Sequence, residues 1–171
     1  MKVKSKVIKS LNLIGKKLWE EGQYIKPSKN IDNPLVVISE LAKNIYEKYG
    51  DEALFLFGPI LKQYGFNSGL KIKQKVEKAT FADRVKAWLE EGLKSGQSQI
   101  VEVGDSYIII KGYQCPLRLE NSGRILCEVL MNIDVGIVSA LAGKDINIKI
   151  NKTLAQGDEY CLVTFYINSS F

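Results

Sequence analysis

Three cysteines and no histidine set the chemistry this chain can offer. Cys115 opens a Cys-Pro step where an expected strand ends, and Cys127 falls in the first turns of an expected helix. Cys161 closes the run Gly157-Asp158-Glu159-Tyr160-Cys161 as the last strand begins. All three sit at element ends in the C-terminal part, where a fold can gather them. Thiolates favour zinc and similar borderline ions. One expectation is therefore a zinc site shared by Cys115, Cys127 and Cys161. Water, an outside ligand or a carboxylate such as Asp158 or Glu128 would take the fourth position. A thiolate at Cys127 would also be stabilised by the helix N-terminus. The opposing expectation is packing, because free cysteine behaves as a small hydrophobe. Cys161 shares a strand face with Val163, Phe165 and Ile167, and no pair has Cys-x-x-Cys spacing.

Without histidine there is no Ser-His or Cys-His pair and no imidazole ligand. Acid-base work would fall to a tuned carboxylate, lysine, tyrosine or cysteine. Glu90-Glu91 is the obvious carboxylate pair, but it lies on the solvent side of a helix, with Glu90 spaced to meet Lys94. Gly104-Asp105 reads as a turn, and no phosphate-binding loop, nucleotide-binding glycine motif or flavin signature is present.

Size and composition narrow the class. The 171 residues suit one domain spanning 1–171, and 46% hydrophobic with 25% charged residues is ordinary for a soluble globular protein. The net charge of +5 is mainly lysine. With no arginine cluster or helix-turn-helix signal, it reads as a solvated surface rather than a nucleic-acid interface. No uninterrupted apolar run approaches the roughly 18 residues of a membrane span. The start Met1-Lys2-Val3-Lys4 lacks the apolar core of a signal peptide. These features predict a cytoplasmic protein without a membrane partner, and an odd cysteine count fits a reducing compartment.

The elements that must position the cysteines follow from periodicity. Val7, Leu11, Ile14 and Leu18 form one stripe on a helix over about residues 3–21. Asn33-Pro34 starts a second helix, which Gly50 ends. Asp51 caps a third, apolar on nearly all sides through Ala53-Leu54-Phe55-Leu56-Phe57 and kinked at Gly58-Pro59. Gly65 and Asn67-Ser68-Gly69 are expected to break it from a lysine-rich segment. Thr80 caps a fourth helix with the stripe Phe81, Val85, Trp88, Leu89 and Leu93. The period then changes to that of a hairpin around Gly104-Asp105-Ser106. A helix over about 124–142 and two strands, over 146–151 and 160–167, complete the chain. The order α-α-α-α-β-β-α-β-β predicts an α+β fold, with the helices on a four-stranded, largely antiparallel sheet.

On these residues the chain resembles the 4-vinyl reductase-like domain. That small-molecule-binding family is common in archaea and related in fold to Bet3-type tethering-complex subunits and haem-NO-binding domains. The matching features are the Gly-interrupted stretch Leu54 to Leu70, Lys94-Ser95-Gly96 before the hairpin, Cys115-Pro116, Cys127-Glu128 and the Gly157-to-Cys161 ending. The resemblance covers about residues 33–168, leaving 1–32 as an added helix and loop. It implies a pocket for a hydrophobic or tetrapyrrole-like ligand, lined by Phe55, Phe57, Phe66, Trp88 and Tyr113. Periodicity alone reads the same aromatics as core. The expected cavity is elongated, apolar and closed to bulk water beneath the kinked helix. The first expectation for function is a small-molecule-binding module with cysteines that hold a metal. A second is an enzyme or accessory protein in vinyl reduction of a tetrapyrrole, needing a reductant from outside. A third is an interaction protein that forms a homodimer through its first helices, since the stripe from Val7 to Leu18 needs either a partner subunit or its own domain to cover it.

Overall fold

The computed structural model of the protein describes residues 33–76, 79–104 and 106–167. The chain divides into residues 1–31 and 32–171, and the described residues belong to the second unit. The expected first helix, with Val7, Leu11, Ile14 and Leu18, lies outside them.

Local signals set the helix starts. Asn33 Oδ1 accepts the backbone N–H groups of Leu35 and Val36 at 3.0 and 3.1 Å, opening α1 (Pro34–Tyr49) with proline in its first turn. Gly50, at φ 75°, turns the chain into α2 (Asp51–Phe55). The helix breaks at Leu56–Phe57, immediately before Gly58-Pro59, and resumes as α3 (Gly58–Lys75). Thr80 accepts the N–H of Asp83 at 3.2 Å and starts α4 (Phe81–Trp88), followed by α5 (Glu90–Lys94).

The strands β1 (Ser98–Val103), β2 (Tyr107–Gly112), β3 (Ile146–Lys152) and β4 (Cys161–Ile167) form one sheet in the order β1-β2-β4-β3, with every pairing antiparallel. Between β2 and β3 run α6 (Arg124–Leu130) and α7 (Asn132–Ala142), which meet at Met131. The protein is thus α+β, with helices packed against a four-stranded antiparallel sheet. Alternation puts Ile108, Ile110, Val163 and Phe165 on the buried face, against Val138 and Leu141 of α7. Ser139 joins helix to sheet: its hydroxyl donates to Val135 O at 2.7 Å and accepts from Ile146 N at 3.3 Å.

The stretch Arg124–Ala142 is long and apolar enough, by length and composition, to cross a membrane. Its most apolar part is 67% buried inside the protein, as expected of a central core helix rather than a span.

Two expectations change here. Gly65 and Gly69 do not break the helix but lie within α3. They stand one turn apart, so they share a face, and that face meets α7. A Cβ on Gly65 would lie 1.9 Å from Ile133 O, one on Gly69 2.6 Å from Ile137 O, and one on Gly136 2.0 Å from Lys62 O. Backbone packs on backbone at all three positions. The segment from Ala53 to Phe57 is not buried all round either. Leu54 is fully buried, but Phe55 and Leu56 are 62% and 75% exposed.

This contact predicts a sharp contrast among glycine substitutions. Gly65→Ala and Gly136→Ala should each cost about 3 kcal/mol or more, because the obstructing atoms are backbone. Gly112→Ala, whose Cβ would sit 3.6 Å from that of Cys161, should stay within about 0.5 kcal/mol of the parent. Urea denaturation of the three variants measures this, and equal losses at all three positions would refute it.

Candidate functional site

A cavity of about 790 Å³ lies between the helices and the sheet. Its walls come from the start of α1, from α3, the α4–α5 junction, β2, β4, α6, α7 and the loop after β2. Trp88, Leu89, Ile110, Ile137, Val163 and Phe165 give it an apolar body. Trp88 meets Phe165 edge-on, with ring centroids 6.2 Å apart and planes at 81°. The exposed residues Asn33, Pro34, Gln114 and Pro116 also line it, so it reaches the surface rather than being sealed from water.

Of the five aromatic residues expected around the pocket, the structure places Trp88 on the cavity wall. Phe57 is half-buried and packs against the core without lining the cavity. Phe55, Phe66 and Tyr113 are 62%, 37% and 43% exposed. The glycines account for Phe66, whereas Phe55 ends α2, before the helix break. Because Gly65 and Gly69 turn toward α7, the large residues around them are left on the other sides of the helix. Tyr113 lies beyond β2, where its hydroxyl donates to Gln99 at 3.1 Å and Lys111 Nζ stands 4.8 Å from its ring.

Cys115, Cys127 and Cys161 all line the cavity. They do not build the expected zinc site: among the described residues, no three His, Cys, Asp or Glu side chains are grouped to hold an ion. A hydroxyl joins two of the thiols instead. The Cys161 thiol points to Thr153 Oγ1 at 4.0 Å, and Thr153 Oγ1 donates to Cys127 Sγ at 3.2 Å. Burial pushes the Cys127 thiol up to about 11 and raises Cys115 as well. Desolvation therefore outweighs any help from the helix terminus, and Cys127 is a neutral thiol. The carboxylates suggested for the fourth position have other partners. Glu128 pairs with Arg124 Nε at 2.7 Å, and Asp158 Oδ2 accepts the backbone N–H of Thr153 at 2.8 Å. Glu90 pairs with Lys94 on the surface, as its spacing predicts.

The sequence reading passed over Asp134. It sits in the first turn of α7, between the buried residues Ile133 and Val135, and lines the cavity. Its carboxyl group has no hydrogen bond or ion pair with any described residue. Burial alone pushes it up to about 7. The available signal was the one ionisable residue in the stretch Ile133 to Leu141, which is apolar but for Ser139.

No protein-family model and no curated protein matches the sequence. Solved structures do. The phenol-responsive sensory domain of the transcription activator PoxR, determined with phenol, superposes with a TM-score of 0.61 at 14% identity, covering 86% of this chain and 81% of that one. A trafficking protein particle complex subunit 3 from Naegleria fowleri, covalently bound to palmitic acid, gives a TM-score of 0.51 at 10% identity, covering 79% and 95%. At these identities the likeness establishes the fold, which is related to the Bet3 type.

Asp134 sets a pH dependence. Its folded value of about 7 lies above the 3.8 of a free aspartate, so between those two values the folded protein holds the extra proton. Stability should fall as pH rises through that window and level off above it. At pH 8 the loss from this group should approach about 4 kcal/mol relative to pH 4. Asp134→Asn should remove that component, as read by urea denaturation across the pH range. An unchanged slope in the variant would exclude Asp134 as its source.

Proposed function

We propose that this chain is a small-molecule-binding domain of the 4-vinyl reductase-like type, holding one compact, largely apolar ligand in the cavity between α7 and the sheet. The observation that carries this reading is the cavity itself: about 790 Å³ with mainly apolar walls, within the range of drug-sized ligand sites. The two neighbours support it. One was solved with phenol and the other with palmitic acid, so this architecture accommodates apolar guests of different shapes. Cys127, as a neutral thiol, is wall rather than nucleophile. The neutral dye Nile red should bind with one site per chain and a rise in emission. Leu89→Trp, which adds bulk at a half-buried wall position, should weaken that binding about tenfold or more. Absence of dye binding, or binding indifferent to Leu89→Trp, would remove the cavity as the site.

We also propose a homodimer. Ile60 and Tyr64 stand one turn apart on α3 and are 68% and 50% exposed, and Leu56, in the break just before that helix, is 75% exposed, an apolar surface of the kind that favours pairing with a second copy. Light scattering at high micromolar concentration should report two chains, and Ile60→Lys should return one. A parent protein that is monomeric there would end this reading.

A further inference from the structure

We propose that Asp134 selects the ligand's head group, so that the cavity takes an apolar molecule carrying a protonated amine and rejects the corresponding carboxylate. This rests on the reading of the cavity as a ligand site. The argument starts from the inventory of charge on the walls. Asp134 and Arg118 are the two ionisable Asp, Glu, Lys or Arg residues that line the cavity. Arg118 is exposed, on the loop after β2. Asp134 is half-buried, on the core helix, and its carboxyl oxygens have no partner among the described residues. Facing it from α6 is Cys127, whose sulfur already accepts from Thr153 Oγ1 at 3.2 Å. The thiols of Cys115 and Cys161 and the phenol of Tyr64 on α3 complete the titratable groups on the walls, and none of these four groups carries positive charge.

Buried polar groups are normally satisfied, and one that is not retains its full desolvation penalty. A half-buried carboxyl group on the wall of a mainly apolar cavity, with no partner among the described residues, is therefore an acceptor awaiting a donor. An ammonium group supplies up to three N–H donors and the opposite charge, which makes the strong, charge-assisted form of the bond. An alcohol supplies one neutral donor. A carboxylate would set two acids side by side, and one of them would have to take up a proton. Burial keeps Asp134 partly protonated near neutral pH, and an ammonium partner would draw it into the charged form. Affinity for the amine should thus rise with pH up to about neutrality, while affinity for the alcohol stays level.

The test uses the whole chain with Nile red as reporter and octylamine, octanol and octanoate as competitors, in the parent protein and in Asp134→Asn. The asparagine is nearly the same size, and circular dichroism checks that the variant folds. At pH 8 the parent should bind octylamine on the order of tenfold to a hundredfold more tightly than octanoate, the range expected for a hydrogen bond to a charged group. Asp134→Asn should bring the two within about threefold, and octanol should be nearly unaffected. If Nile red binds but the three competitors displace it equally in both proteins, or if octanoate is preferred, the role of Asp134 is overturned and the cavity reading stands. If neither the dye nor any competitor binds the parent protein, both readings fall.

Discussion

Where the backbones of α3 and α7 touch, no side chain intervenes. Gly65 and Gly69 on one helix and Gly136 on the other leave room for the carbonyls of Ile133, Ile137 and Lys62 to approach where a Cβ would otherwise stand. Such an approach brings two helices closer than the usual 8–10 Å axis separation. It also fixes their rotation, since only the glycine faces can meet. The rest of the structure follows from that. With α7 pinned on one side by α3, its other sides carry Val138 and Leu141 toward the sheet and Asp134 and Ile137 toward the cavity. Ser139 then ties the same helix to the first residue of β3. The cavity is the volume that this arrangement leaves unfilled between α7, β2, β4 and the α4–α5 junction.

Desolvation decides the chemistry of that volume. The cysteines show it first: burial raises the thiols of Cys115 and Cys127 and disfavours their thiolates, and Thr153 gives Cys127 and Cys161 a hydroxyl partner. The Gly157-to-Cys161 run has a structural role in this. Gly157 takes φ 92°, which lets the chain turn after the short 3₁₀ segment Leu154–Gln156, and Asp158 returns to hold the backbone of Thr153. The run positions a threonine and a cysteine against Cys127, where the placement of the cysteines at element ends suggested an ion.

The features legible in the sequence are those that local physics determines. Asn33 and Thr80 cap their helices because a short side-chain oxygen meets free N–H groups a few residues on. The strands follow from period-two alternation, and the α+β class follows from the order of elements. What required tertiary information was misread or missed. Gly65 and Gly69 read as helix breakers by propensity, yet they stay helical because the backbone of α7 packs directly against them. Phe55 and Phe66 read as pocket lining because they are large and apolar, but periodicity cannot say which neighbour, if any, a face will meet. Asp134 was passed over because a single acid in a mainly apolar helix has no spacing that marks it as a site. Its place on the cavity wall and its lack of a partner among the described residues distinguish it.

That placement runs against stability. A fold gains from close packing, and this one keeps an unfilled volume with an acid on its wall that has no partner among the described residues. Replacing Asp134 by an apolar residue would relieve the desolvation cost, and filling the cavity would recover lost contacts. Both features reduce the stability of the empty protein, and both are offset once a guest of complementary chemistry occupies the space. Binding energy in such a site comes partly from removing penalties the empty protein already carries. A small cavity can then hold an apolar molecule firmly with one polar contact, and the identity of that contact falls to the residue that costs the empty fold most.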